Sequence, residues 1–494
     1  MKYLTRILTA IIVITAVLTF SASSCKDNNK PGDGDGKDTT VVTASEVALY
    51  VTTASQSMLF KKVDENFNTK PNLSPYTIKI DKSKTAQEIK GFGAAVTGSS
   101  AYNFMRMAAA DRKALLTKIF DPDSGAGYSY IRISIGCSDF SLENFTCCDK
   151  EGIENFALNT YDKRDLIPVL KEILAINPNI GIMASPWTCP LWMKVNDLTH
   201  LASYNSWTGG HVNPKYYDDY ATYFVKFIQA FAAEGIAITS ISPQNEPLNP
   251  YNSASCVMEA TEERDFIKVL GPKLKAAGLN TEIWCYDHNY DVPNYPLTIY
   301  ADSEASQYVS GSAWHAYGGN VSVLYNIHAS YPDKGIYFTE QSIGSWGYSF
   351  DGDLMWNMEN CGLGVINYGG SASIMWNILL DEKGSPYRPG GCSTCYGAIV
   401  IQSSNYKTLS YNSHFYTEAH LAKVFRPGAK VISASGYTAT GLSYAAVLNP
   451  DGSYGLVAQN NNSAVCKITV DDGVKTFTYT LPEKSLSSFK WKDN

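Results

Sequence analysis

The sequence predicts an α/β protein, a (β/α)8 TIM barrel with an attached antiparallel β-sandwich module. Three observations carry this. From about Gly91 to Cys395, β-type runs alternate with helical patterns eight times, the order of parallel βα units. After about Lys407 the pattern changes to short alternating runs separated by turns such as Asn449-Pro450-Asp451-Gly452, the signature of an antiparallel sheet. The 494 residues are 45% hydrophobic and 18% charged, enough apolar material for a large core and too little charge for a disordered chain.

Residues 1–24 read as a secretory signal. Lys2 and Arg6 precede an apolar stretch from Ile7 to Phe20, and small residues Ser21-Ala22-Ser23-Ser24 follow. The apolar stretch is too short to span a bilayer. Cys25 directly after small residues resembles the lipobox of bacterial lipoproteins, with Ala22 where leucine is usual, so Cys25 is the expected lipidation site. Lys26-Asp27 resembles the surface-export signal of Bacteroidetes lipoproteins. A plain signal peptide cut elsewhere, with Cys25 incidental, is the alternative. Residues 25–44 read as a flexible tether, rich in Gly, Asp, Lys and Asn from Asn28 to Thr40. An exported outer-membrane lipoprotein at the cell surface is expected, a monomer that meets the membrane through its lipid anchor only.

Residues 45–90 read as extended as far as Asp81 and are expected to add strands to the β module. The barrel is assigned to 91–406, with strands at Gly91 to Val96, Tyr128 to Gly136, Asn179 to Trp187, Thr239 to Pro247, Thr281 to Asn289, Gly311 to Tyr317, Lys334 to Ser342 and Ser371 to Leu380. Helices are expected at Asp165 to Ile176, at Pro214 to Glu234, and at Glu262 to Ala277. The middle one starts near a proline, ends before Gly235 and carries Tyr217, Tyr220, Phe224, Phe227 and Phe231 at helical spacing. The β-sandwich module is assigned to 407–494, with runs at Lys430 to Ser435, Thr438 to Leu448, Tyr454 to Gln459, Ala464 to Val470 and Thr476 to Leu481.

Charge and cysteine content narrow the partners. Forty Lys and Arg against 47 Asp and Glu give −7, with no dense basic run to neutralise phosphates, so nucleic acid is not an expected partner. The 9 Trp, 33 Tyr and 19 Phe suit either a core or stacking against sugar rings. Setting Cys25 aside leaves ten of 11 cysteines, compatible with disulfides in an exported protein. Cys147-Cys148 and Cys392-Ser-Thr-Cys395 have no second Cys or His pair at zinc spacing, so disulfides or inert thiols are expected rather than a metal.

Polar residues at the C-terminal ends of barrel strands point into the mouth, and two carboxylates qualify. Glu246 ends the fourth run in Ser242-Pro243-Gln244-Asn245-Glu246-Pro247, and Glu340 ends the seventh in Tyr337-Phe338-Thr339-Glu340-Gln341. Strands four and seven face each other across a closed barrel, and two opposed carboxyls are what glycoside hydrolysis needs. Asn245 is placed to bond the sugar 2-hydroxyl.

These segments resemble glycoside hydrolase family 30, which contains β-1,6-glucanases and glucosylceramidases. The resemblance runs through Gly91-Phe92-Gly93-Ala94-Ala95-Val96-Thr97, Ile131-Arg132-Ile133-Ser134, Asp139-Phe140-Ser141, Ser185-Pro186-Trp187-Thr188, Asn245-Glu246-Pro247, Trp314-His315-Ala316-Tyr317, Thr339-Glu340 and Trp376-Asn377. It implies a retaining mechanism with Glu246 as acid/base and Glu340 as nucleophile. It places Arg132, Asp139, Trp187, Asn245, Tyr317 and Trp376 around the sugar, with His288 and His315 as hydrogen-bonding walls, and implies no cofactor or metal. Trp284-Cys285-Tyr286-Asp287-His288-Asn289 is more similar to the β-1,6-glucanase members, so the expected substrate is a β-1,6-glucan polysaccharide or oligosaccharide. The alternatives are a glucosylceramidase-like enzyme, an exo-acting β-glucosidase or β-xylosidase, and a surface glycan-binding lipoprotein. Trp284, Tyr286, Trp314 and Trp346 are candidate sugar-stacking rings.

Overall fold

In a computed structural model that describes residues 46–70 and 74–492, eight parallel strands close into a barrel. Cys25, the signal and the tether lie outside the described residues. In chain order the barrel strands are Gly91–Ala95, Tyr130–Ile135, Gly181–Pro186, Ser240–Ile241, Glu282–Asn289, Val309–His315, Gly335–Glu340 and Gly370–Met375. The eighth pairs back onto the first, with Ala372 opposite Gly91.

All eight expected strands are present, and the fourth is much shorter than expected. Its ladder stops at Ile241, and Pro243 has no N–H to continue it. The backbone beyond is held by single bonds instead: Ser242 N–H to Ala184 O, Asn245 N–H to Pro186 O, and Glu246 N–H to Asp287 O. Glu246 sits there with φ 45°, a left-handed conformation that only a fixed environment holds in a non-glycine residue.

Apolar rings fill the lower barrel. Trp284 stacks on Tyr337 at 3.7 Å between centroids and on Tyr130 at 5.6 Å, packed with Met183, Ala313, Ala372 and Ile374. Trp284, Tyr286 and Trp314 are fully buried core residues, which corrects their expected role as sugar platforms. Trp346 does stand exposed.

The β module is one nine-stranded sheet with both ends on a shared core. Its order is Lys61–Glu65, Val47–Thr53, Ser485–Trp491, Tyr454–Asn460, Leu442–Leu448, Lys430–Gly436, Thr77–Glu88, Cys466–Asp471 and Thr476–Leu481. Three of these strands come from residues 45–90, and Phe477 from one end of the sheet packs on Phe489 and Trp491. One pairing, Thr77–Glu88 with Cys466–Asp471, is parallel in an otherwise antiparallel sheet. The strand Ser485–Trp491 escapes pattern reading because Ser485, Ser487 and Ser488 are themselves buried.

Residues 407–424 are not sandwich strands. Leu409–Tyr411 extends a small sheet with Leu379–Asp381 and Ile399–Ile401, and Ser413–Val424 is a helix lying between the barrel and the module. All twelve helix residues are buried, including His414, Glu418, His420 and Lys423, so the helix has no polar face for a periodicity to reveal. Of the ten cysteines here, Cys392 and Cys395 form a disulfide and the other eight are buried free thiols.

Candidate active site

Arg132, on the second barrel strand, is wholly buried and organises the mouth. Its Nη1 donates to Glu340 Oε2 at 2.5 Å, and its Nη2 to Asn245 Oδ1 and Asp287 Oδ2, each at 2.7 Å. The indoles of Trp187 and Trp376, stacked on each other at 5.0 Å, lie 5.0 and 5.5 Å from the guanidinium carbon. Two anions and two aromatic faces therefore hold one buried cation.

The anion at the centre is Asp287, which sequence reading did not single out. Its carboxylate accepts from Arg132, from Ser185 Oγ at 2.9 Å, from Ser242 Oγ at 2.6 Å, from Thr339 Oγ1 at 2.7 Å and from His315 Nε2 at 3.0 Å. Burial alone would raise its pKa. Arg132, His315 and Ser242 more than reverse that and hold the carboxyl well below the usual range.

Asp287 reaches the lumen through a bulge. Tyr286 and Asp287 have φ of 77° and 56°, and the register against the sixth strand slips between Tyr286 and His288. Trp284 joins the barrel's inner cluster, Cys285 and Tyr286 both join the outer core, and Asp287 bonds inward. A regular pleat would have turned Tyr286 inward instead.

Glu246 and Glu340 meet across this network. Glu340 Oε1 accepts from the Tyr317 hydroxyl at 3.0 Å, while Oε2 holds Arg132. Glu246 Oε1 lies 3.4 Å from His315 Nδ1, and Oε2 accepts from Asn249 at 2.8 Å and Asn252 at 3.3 Å. Donor atoms of Glu246, His315 and Glu340 all lie within 4.8 Å of one another, a spacing that could hold a cation. His315 supplies that positive charge itself. Burial works against its protonation, but the carboxylates of Glu340, Asp287 and Glu246 hold its pKa at about 9, so both ring nitrogens donate. Glu246 is correspondingly drawn down to about 2, against burial, chiefly by the hydrogen bond and charge of His315. Burial pushes Glu340 up, against the pull of His315 and Arg132.

The other expected residues fall around this pair. Asp139 is buried with Oδ1 unpartnered, and burial together with the charges of Glu340 and Glu246 raises its pKa well above the usual range. Trp187 Nε1 is also buried without a partner. His288 does not bond to the network; its ring stands edge-on to His315 at 6.3 Å and its Nδ1 has no partner. Asn249 and Asn252, also missed from sequence, lie in an irregular loop that no periodicity marks.

Comparison with known proteins identifies the family. Residues 89–425 match the glycosyl hydrolase family 30 TIM-barrel domain, and residues 428–489 match the family's β-sandwich domain. The chain is 33% identical over 446 residues to the endo-1,6-β-D-glucanase neg1 of Aspergillus fumigatus, covering 84% of this chain and 88% of that protein. It is 29% identical to putative glucosylceramidase 1 of Caenorhabditis elegans, covering 90% and 89%. Among solved structures, the endo-β1,6-glucanase BT3312 superposes with a TM-score of 0.88 at 52% identity, covering 91% of this chain and all of that one. The chain therefore belongs to glycoside hydrolase family 30 and is a glycoside hydrolase.

Proposed function

We propose that this protein is a retaining β-1,6-glucanase of the endo type, with Glu340 as nucleophile and Glu246 as acid/base. One observation carries the chemistry. One carboxylate oxygen of Glu246 and one of Glu340 stand within 4.8 Å of each other, close to the roughly 5 to 5.5 Å carboxyl separation of retaining enzymes and well short of the roughly 6.5 to 9.5 Å of inverting ones. The substrate rests on the 52% identity to an endo-β1,6-glucanase, matched over the whole of that solved chain.

In the first step Glu340 attacks the anomeric carbon and Glu246 protonates the departing O6 of the next glucose. Arg132 and Tyr317 each donate to one Glu340 oxygen and so favour its anion. Glu246 needs a proton, and His315 holds one 3.4 Å from its Oε1. His315 holds Glu246 low, at about 2, so that proton passes from Nδ1 to Oε1 as O6 departs and takes it up. Once Glu340 is esterified, Glu246, again a carboxylate, is the base that activates water and returns the proton to His315.

A mechanism-based 2-fluoroglucoside should label Glu340, and the first product of β-1,6-glucan cleavage should be the β-anomer. β-1,3- and β-1,4-glucans should be poor substrates. A label on another residue or a first-formed α-anomer would overturn the roles, and glucosylceramide hydrolysis without attack on β-1,6-glucan would overturn the substrate. We also propose export as a lipid-anchored monomer, supported by the sequence around Cys25. Cys25→Ser should leave the membrane fraction with full specific activity.

A further inference from the structure

The bulge that turns Asp287 inward leaves the Tyr286 N–H pointing away from the barrel, and Glu263 meets it. Glu263 lies on the helix Ala260–Ala276 outside the barrel and is wholly buried. Its Oε1 accepts the Tyr286 N–H at 3.0 Å, and its Oε2 lies 2.7 Å from the Tyr295 hydroxyl. That hydroxyl also lies 2.6 Å from the Met258 carbonyl oxygen. A tyrosine has one proton, and two acceptors compete for it here. Both contacts become hydrogen bonds only if Oε2 itself carries a proton and donates to Tyr295, which donates to Met258.

We infer that Glu263 is a neutral carboxylic acid acting as a positioning residue: its carbonyl oxygen holds the bulge that aims Asp287 at Arg132 and His315. The catalytic consequence rests on the roles assigned above to Glu246 and Glu340. The proton count does not. The groups facing Glu263 are Tyr295 from the helix Asn294–Tyr300, and Cys285, Tyr286 and Asp287 from the fifth strand. None is a cation, and Asp287 is an anion. Burial and that anion raise the Glu263 carboxyl to about 7, against the bonds from Tyr295 and Tyr286. Ionisation would put a second buried negative charge behind Asp287 and remove the donor to Tyr295.

Glu263→Gln in the full chain is the test, since the amide keeps a carbonyl acceptor and an N–H donor without titrating. At about pH 5, where the wild-type acid is protonated, its kcat/KM on β-1,6-linked gluco-oligosaccharides should stay within about twofold of wild type. Glu263→Leu, which removes both contacts, should lose at least about tenfold in kcat with little change in KM, as misplaced catalytic groups do. Stability supplies a reading independent of catalysis. A carboxyl whose pKa is raised on folding stabilises fully below its unfolded value of about 4.3 and loses that contribution as pH rises through its folded value. The thermal midpoint of Glu263→Gln should therefore rise relative to wild type between about pH 4 and about pH 7. The infrared difference spectrum of wild type minus Glu263→Gln should also show a protonated-carboxyl band that is lost on raising the pH. A pH-independent midpoint difference, no such band, or a Gln variant as impaired as the Leu variant would overturn the inference.

Discussion

Two buried polar clusters in this molecule solve the same problem in opposite ways. At the barrel mouth, Arg132, Asp287, Glu340, Glu246 and His315 lie in contact, and each charge faces a countercharge. On the helix Ser413–Val424, His414 has neither ring nitrogen partnered, and Glu418 has one oxygen bonded by Ser373 and the other free of any partner. There, desolvation decides: it pushes His414 down to about 3 and Glu418 well up, each toward its neutral form. His420, also pushed down to about 3, stays useful while uncharged, joining Ser488 and Thr52 of the sandwich. Burial alone selects neutral groups. Charge persists inside a protein where opposite charges are built around it, and that is where chemistry is found.

Three substitutions break or sharpen the comparison. The largest effect belongs to Glu340→Ala, which should cut turnover of β-1,6-glucan on the order of 10⁴-fold, as expected for a deleted nucleophile. Its fold should survive, as circular dichroism and thermal melting would show. Comparable residual turnover of every substrate in this variant would remove Glu340 from the mechanism.

Asp287→Asn keeps the shape and removes the shared anion, leaving Arg132 and His315 undercompensated. Loss of one member of a buried ion pair costs about 3–5 kcal/mol, readable from the denaturant midpoint at neutral pH. Because Asp287 is held below its ordinary value, its contribution is complete above the unfolded carboxyl pKa of about 3.9 and fades as pH falls below it. The gap between variant and wild type should narrow there. A gap that stays constant into acid would mean that shape rather than charge holds the network.

The smallest effect is expected at His414→Leu. Removing two unpartnered nitrogens should change stability by no more than about 1 kcal/mol at neutral pH, in either direction. Since the folded pKa is depressed, wild type loses stability as pH falls from about 6.5 toward about 3, and the leucine variant does not. The difference should grow in leucine's favour across that window. If His414→Leu instead cost as much as Asp287→Asn, the two clusters would be alike and the distinction would fail.

What the sequence determined by itself follows from period and position. Eight apolar runs with helices between them determine a barrel, and a carboxylate at the end of a run must stand at the mouth, which is why Glu246 and Glu340 were legible. Arg132, Asn245 and Tyr317 were legible through motif context, and each bonds within the network. Pattern reading assumes a regular pleat, and the fold departs from one where function sits. The bulge at Tyr286 advances the inward position by one residue, so Asp287, not Tyr286, becomes the hub. Trp284 and Trp346 look alike as letters, and only packing sent one into the barrel and left the other in solvent. Glu263 gains its role from a helix folding over a strand, bringing its carboxyl to an N–H that the bulge had freed from the ladder. Local sequence encodes which elements form; the tertiary structure decided which side chains share a dielectric, and therefore which of them keep a charge.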